Sequence, residues 1–208
     1  MLVIGITSRA LFNLDKSHEI FINEGLDSYK DFQISNENVP LEPGQAYPLV
    51  TKLLELNERI SGERSVEVIL LSSNSADTGL RIFNSIEHHK LDIKKAAFCG
   101  GNSPHTYAKP FGAHLFLSTE LSDCKLALES GVASARIIPS RIAHTRENIL
   151  KVAFDGDAVI FSEESQEIYD NLGLEAFEVN EKNLAKKSLP GGPFKPFLFE
   201  LHRLQGKF

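Results

Sequence analysis

Short apolar runs rich in valine and isoleucine alternate along the chain with segments whose apolar residues recur at three- and four-residue spacing. This pattern predicts an α/β protein with a largely parallel sheet. Leu2 to Ile6, Val66 to Leu71, Ala96 to Cys99, His114 to Leu117, Ser134 to Ile138 and Lys151 to Phe154 read as strands. Helices are predicted around Tyr47, Val50, Leu53, Leu54 and Ile60, around Leu80, Ile82, Phe83 and Ile86, and around Leu121, Leu126 and Leu128, with Gly131 as a C-terminal cap. The Pro and Gly clusters at Pro40 to Gly44 and Pro190 to Pro193 mark loops.

The same pattern repeats. Residues 2–29 align without a gap on residues 150–177 at a constant offset of 148, the separation of Thr7 from Asp155. Ala10/Ala158, Ser17/Ser165, Ile20/Ile168, Asn23/Asn171 and Gly25/Gly173 are identical pairs, and Pro48/Pro196 and Leu53/Leu201 extend the register towards the C-terminus. The expectation is an internal duplication whose second copy is incomplete. Residues 1–140 would form a first α/β unit, and residues 149–208 the start of a second, with a cap-like segment.

Composition narrows the function classes. A net charge of −6, with basic residues scattered, gives no electrostatic footprint for nucleic acid or an anionic membrane. The longest apolar runs are strand-sized and the N-terminus carries no leader-like segment, so a cytoplasmic protein is expected. The two cysteines, Cys99 and Cys124, lack disulfide or zinc spacing and read as buried thiols.

The candidate chemistry lies in Lys151-Val-Ala-Phe-Asp-Gly-Asp-Ala-Val-Ile-Phe161, where an apolar run delivers Asp155 and Asp157 on either side of Gly156. Asp-Gly-Asp alone also fits a simple turn. Between two apolar runs, however, paired carboxylates need a compensating cation or donors. Asp155 is positioned to attack phosphorus and Asp157 to shuttle the proton. A hard cation with oxygen ligands, Mg2+, would relieve their repulsion.

Weaker candidates for phosphate or substrate binding are Ser73 and Asn74, after the strand at Val66 to Leu71, and Gly101 and Asn102 in a glycine-rich turn that suggests a backbone cradle. Gly156 and Lys109 complete that set, and Ser75 is the expected N-cap of the next helix. His88 and His89 close a helix and are read as structural.

Together with the Asp-Gly-Asp stretch, the segments Ser8-Arg-Ala-Leu-Phe12, Asp77-Thr-Gly-Leu-Arg-Ile-Phe-Asn-Ser-Ile-Glu-His88, Gly100-Gly-Asn-Ser-Pro104, Leu189-Pro-Gly-Gly-Pro-Phe-Lys195 and Leu201-His-Arg-Leu-Gln205 resemble the type I cytosolic 5'-nucleotidases. The resemblance covers nearly the whole chain. It implies a Rossmann-like, haloacid-dehalogenase-like core with a cap, Asp155 as nucleophile, Asp157 as acid/base and Mg2+ on both. It also implies hydrolysis of nucleoside monophosphates. The chain resembles the family without its last third, because the Ser/Thr, Lys and acidic motifs that follow Asp-Gly-Asp in the family have no counterpart before Phe208. In the first unit Thr7 and Arg9 stand where the second has aspartates, and Leu117-Ser118-Thr119 lacks tandem acids, so that unit is expected to be catalytically silent. The alternatives are a non-catalytic nucleotide-binding or assembly module, whose site would be completed by residues from another chain of a homo-oligomer, and a phosphatase of another small phosphate ester.

Overall fold

The computed structural model describes residues 1–60, 62, 64–139, 149–155, 171–175, 179 and 192–208. Its centre is a five-stranded sheet of β1 (Leu2–Thr7), β2 (Val66–Ser72), β3 (Lys95–Phe98), β4 (Leu115–Ser118) and β5 (Ala133–Arg136). Every pairing is parallel and the order is β3-β2-β1-β4-β5. This is a Rossmann-like arrangement. The chain runs outward from β1 through β2 to β3, then crosses back to β4 and β5, so the sheet reverses direction beside β1.

Both faces of the sheet are covered, which explains why its strands read as continuous apolar runs. Leu2, Ile4 and Ile6 of β1 point into the larger core with Val66, Val68, Leu70, Leu115 and Leu117. Val3, Ile69, Leu71 and Phe116 face the smaller one. Helices α4 (Tyr47–Arg59) and α5 (Ala76–His88) bury Val50, Leu53, Ile82 and Ile86 on the larger side. Helix α6 (Leu121–Glu129) contributes Ala127 to the smaller side.

The short α1 (Ser8–Leu11) continues directly from β1, and α2 (Asp15–Glu24) and α3 (Leu26–Ser35) follow as a helical pair. The 148-residue offset pairs the junction between them, Gly25 at φ 92°, with Gly173 at φ 82°. The last described helix, α7 (Lys195–Gln205), packs against β1 and buries Phe197 and Leu204 in the larger core. Like α4, which starts 148 positions earlier, it carries a proline in its first turn. The N-terminal amine meets Glu200 at 3.0 Å, and Lys207 Nζ donates to Ser65 Oγ at 2.8 Å.

One strand prediction is corrected. Lys151 to Phe154 has no regular secondary structure. No described strand pairs with it, and without a ladder its valine and phenylalanine do not hold the backbone in a sheet. Instead Leu150 and Phe154 pack on the larger core, with the Phe154 ring 5.9 Å from that of Phe197.

Candidate functional site

Where the sheet reverses, a cavity of about 460 Å³ opens at the C-terminal ends of β1, β2 and β4. Thr7 closes β1 at its floor, Ser73 and Asn74 follow β2, Gly100 and Gly101 follow β3, and Ser118 and Thr119 end β4. The α2–α3 pair forms the facing wall with His18, Phe21, Leu26 and Tyr29. Ligands of open α/β sheets bind at this edge.

The strand ends are tied together by short hydroxyl bonds. Ser8 Oγ and Ser72 Oγ lie 2.9 Å apart, Asn74 N donates to Ser72 Oγ at 3.2 Å, and Glu120 N donates to Ser118 Oγ at 3.1 Å. A second chain of bonds comes from α5. The buried Arg81 donates to Gln33 Oε1 at 3.1 Å, Gln33 Nε2 donates to the Tyr29 hydroxyl at 3.1 Å, and that hydroxyl donates to Asn74 Oδ1 at 2.9 Å. Burial raises the Tyr29 hydroxyl above its ordinary pKa, against the pull of these bonds to Gln33 and Asn74. The relay fixes the Asn74 amide with its oxygen satisfied and its nitrogen free.

Charges ring the mouth. Arg9 contacts Glu120 at 3.1 Å and Asp15 at 3.8 Å. Asp123 accepts from Ser118 Oγ at 3.3 Å and from Ser103 Oγ. Lys30 lines the opening and makes no ion pair within salt-bridge distance among the described residues.

The candidates from the sequence divide. Ser73, Asn74 and Gly101 line this cavity together. Asn102 does not, and its side chain donates to Cys99 O at 3.1 Å. The glycine-rich turn is no open amide cradle, because the amides of Gly100, Gly101 and Asn102 already donate to Asn74 O, Ser73 O and Cys99 O. Lys109 turns away and donates to Ser130 O at 3.1 Å, at the C-terminus of α6. Ser75 sits at the N-cap position of α5, but its hydroxyl pairs with Thr78 Oγ1 at 3.2 Å and makes no capping bond to the backbone. His89 bonds Leu41 O at 2.8 Å and stacks on Phe12, the structural role expected of it. Both cysteines are buried, and burial raises the Cys99 thiol pKa.

Asp155 is exposed at the end of the 149–155 segment and is not part of the cavity lining. Gly156 and Asp157 lie outside the described residues. Among the described residues no group of three or more His, Cys, Asp or Glu side chains gathers as a metal centre. No described helix is long and apolar enough to cross a membrane.

Sequence reasoning missed Phe21, Tyr29 and Lys30, which reach the cavity from α2 and α3. A family model of the 5'-nucleotidases matches residues 1–208. The chain belongs to the 5'-nucleotidase family. Human cytosolic 5'-nucleotidase 1B is 35% identical to it over 214 aligned residues, which cover 100% of this chain and 35% of that protein. The chain thus spans about a third of the length of this curated relative. No solved structure matches it. The cavity and the exposed Asp155, which does not line it, are two separate candidate features.

Proposed function

We propose that this chain carries the phosphoryl-transfer motif of a cytoplasmic 5'-nucleotidase, which converts nucleoside monophosphates to nucleoside and phosphate. The observation that carries the reading is the family match across residues 1–208, with Asp-Gly-Asp at 155–157 inside it. The relative's printed name, a cytosolic 5'-nucleotidase, supports both substrate class and compartment. The net charge of −6 supports a small-molecule partner over nucleic acid or membrane.

In this reading the Asp155 carboxylate attacks phosphorus and the bond from phosphorus to the ester oxygen breaks. Asp157 gives its proton to the departing oxygen, releasing the nucleoside. It then takes a proton from water, whose oxygen attacks the aspartyl-phosphate, frees inorganic phosphate and restores Asp155. The donor chemistry suits Mg2+: Asp155 is an exposed carboxylate with no ion pair among the described residues, and Asp157 adds a second set of hard oxygens. Those two residues would hold the ion, which supplies charge neutralisation on the phosphoryl oxygens.

An internal duplication with an incomplete second copy belongs to the same reading. It is supported by the positive φ shared by Gly25 and Gly173 and by the matched starts of α4 and α7. The irregular backbone of 150–155, set against the strand of β1, speaks against a complete one.

The test is phosphate release from AMP by an intact protein containing this sequence. Asp155→Asn should abolish turnover, because an amide is neither a nucleophile of this kind nor a charged ligand. Near-normal rates in that variant would remove Asp155 from the role given to it.

A further inference from the structure

We propose that the cavity at the C-terminal edge of β1, β2 and β4 binds a nucleoside 5'-phosphate and holds it without hydrolysis. This site is distinct from Asp155 and does not depend on the role assigned to that residue.

The first ground is unsatisfied polarity. Among the described residues, three buried side-chain polar atoms have no hydrogen-bond partner: Thr7 Oγ1, Asn74 Nδ2 and Thr119 Oγ1. All three belong to residues that line this one cavity. Thr7 is only 6% exposed. Buried polar groups without partners are rare, and each costs free energy unless something meets it. Three on one wall describe the outline of a polar ligand. Because the Tyr29 hydroxyl donates to Asn74 Oδ1, the free Asn74 atom is an N–H donor and calls for an acceptor.

The second ground is charge. Lys30 lines the opening with no carboxylate in salt-bridge reach among the described residues, and Arg9 lines the same cavity. The two acids on the rim are both engaged, Glu120 by Arg9 and Asp123 by the hydroxyls of Ser103 and Ser118. Hydroxyl and amide donors, an ammonium outside any salt bridge among the described residues and a guanidinium match the oxygens of a phosphate monoester.

The third ground is the opposite wall. His18, Phe21 and Tyr29 form a run of rings, with Phe21 and Tyr29 edge to face at 6.0 Å and His18 and Phe21 stacked at 6.4 Å. Phe21 is nevertheless 45% exposed and the neighbouring Leu26 is 52% exposed, a cost to the free protein that a flat heterocycle would relieve. A phosphate on the sheet edge and a base against the α2–α3 pair is the ligand class that uses both surfaces. The cavity volume of about 460 Å³ suits a ligand of that size.

Binding without hydrolysis follows from the two positions that match the catalytic pair. At the two positions offset by 148 from Asp155 and Asp157 stand Thr7 and Arg9. A neutral secondary hydroxyl is not an attacking anion, and a guanidinium does not shuttle protons at neutral pH.

The test is calorimetric titration of the 208-residue chain with AMP, with inorganic phosphate and with adenosine. AMP is expected to bind at the cavity, and that binding should persist in the Asp155→Asn variant, where no phosphate is released. Thr7→Val and Lys30→Gln should each weaken AMP and inorganic phosphate by about tenfold or more, the loss typical of a hydrogen bond to a charged group. Phe21→Ala should weaken AMP and adenosine but leave inorganic phosphate unchanged. Thr7→Val also separates binding from structure: removing an unpartnered buried hydroxyl should leave the ligand-free melting temperature unchanged or higher. No AMP binding at millimolar concentration would overturn the proposal. So would binding that is lost in Asp155→Asn, or binding that is indifferent to both Thr7→Val and Lys30→Gln in folded protein.

Discussion

The backbone amide of Val3 donates to Nδ1 of His114 at 3.0 Å, a bond that exists only while that ring nitrogen carries no proton. Burial accordingly holds the His114 pKa below its usual value, against the opposing pull of nearby Glu200. A histidine depressed in the fold contributes stability that is complete above its unfolded pKa of about 6.5. That contribution shrinks as the pH falls below this value and is lost once the pH passes the folded pKa. Chemical denaturation between pH 8 and pH 5 should therefore show stability falling at the acid end. His114→Asn, which keeps an acceptor for Val3 but does not titrate, should flatten that slope. An unchanged slope in the variant would assign the acid sensitivity to other groups.

Gly44 meets the backbone of the segment after β1 at close range. A Cβ there would lie 2.8 Å from Ala10 O and from the backbone N and C of Phe12. These are main-chain atoms already bonded to this loop, Gly44 N to Leu11 O and Ala46 N to Ala10 O, so they have little room to yield. Gly44→Ala should destabilise the chain by about 2 kcal/mol, within the range of overpacking costs. A denaturation midpoint equal to that of the parent would show that the loop can retreat from α1.

Phe197 tests whether the C-terminal helix is integral to the first unit. It is buried against the β1 face, where it contacts the rings of Phe154 and Phe194. Phe197→Ala should cost about 3 kcal/mol, the usual consequence of emptying an aromatic site in a core. Phe199→Ala, two positions on at a ring 66% exposed, should cost almost nothing. Equal, small effects for both would mean that α7 docks only loosely.

The three central strands, β1, β2 and β4, were legible because each is buried on both faces, so hydrophobicity marks them without any need for alternation. Helices α2 and α3 were not predicted, for the opposite reason. Of their residues only Ser17 and Gln33 are buried, while Phe21, Ile22, Leu26 and Ile34 are exposed. A helix pair that roofs a cavity has no apolar stripe for a periodicity search to find. Lys151 to Phe154 shows the converse error. Its composition suits a strand, but strand formation depends on a neighbour that local sequence does not specify. At the cavity, Ser73, Asn74 and Gly101 could be placed because they lie within three positions of a strand end. Lys30 and Tyr29 could not, because only the fold of the α2–α3 pair brings them over the sheet edge.

The two aspartates of the motif have separable duties, and the leaving group distinguishes them. Loss of a general acid typically costs about 10²- to 10⁴-fold with a poor leaving group. Nitrophenolate departs without a proton, so with p-nitrophenyl phosphate the first step needs Asp155 but not the acid. In an intact protein containing this sequence, Asp157→Asn should then release a burst of nitrophenolate of about one equivalent per site and stall, because no base activates the water that clears the aspartyl-phosphate. On AMP the same variant should show almost no turnover and no burst. Asp155→Asn should be silent on both substrates, and chelation of Mg2+ should silence the parent on both, with activity restored by adding the ion back. An Asp157→Asn variant that loses activity equally on both substrates, without a burst, would give Asp157 a structural role in the turn and leave the proton transfer to another group.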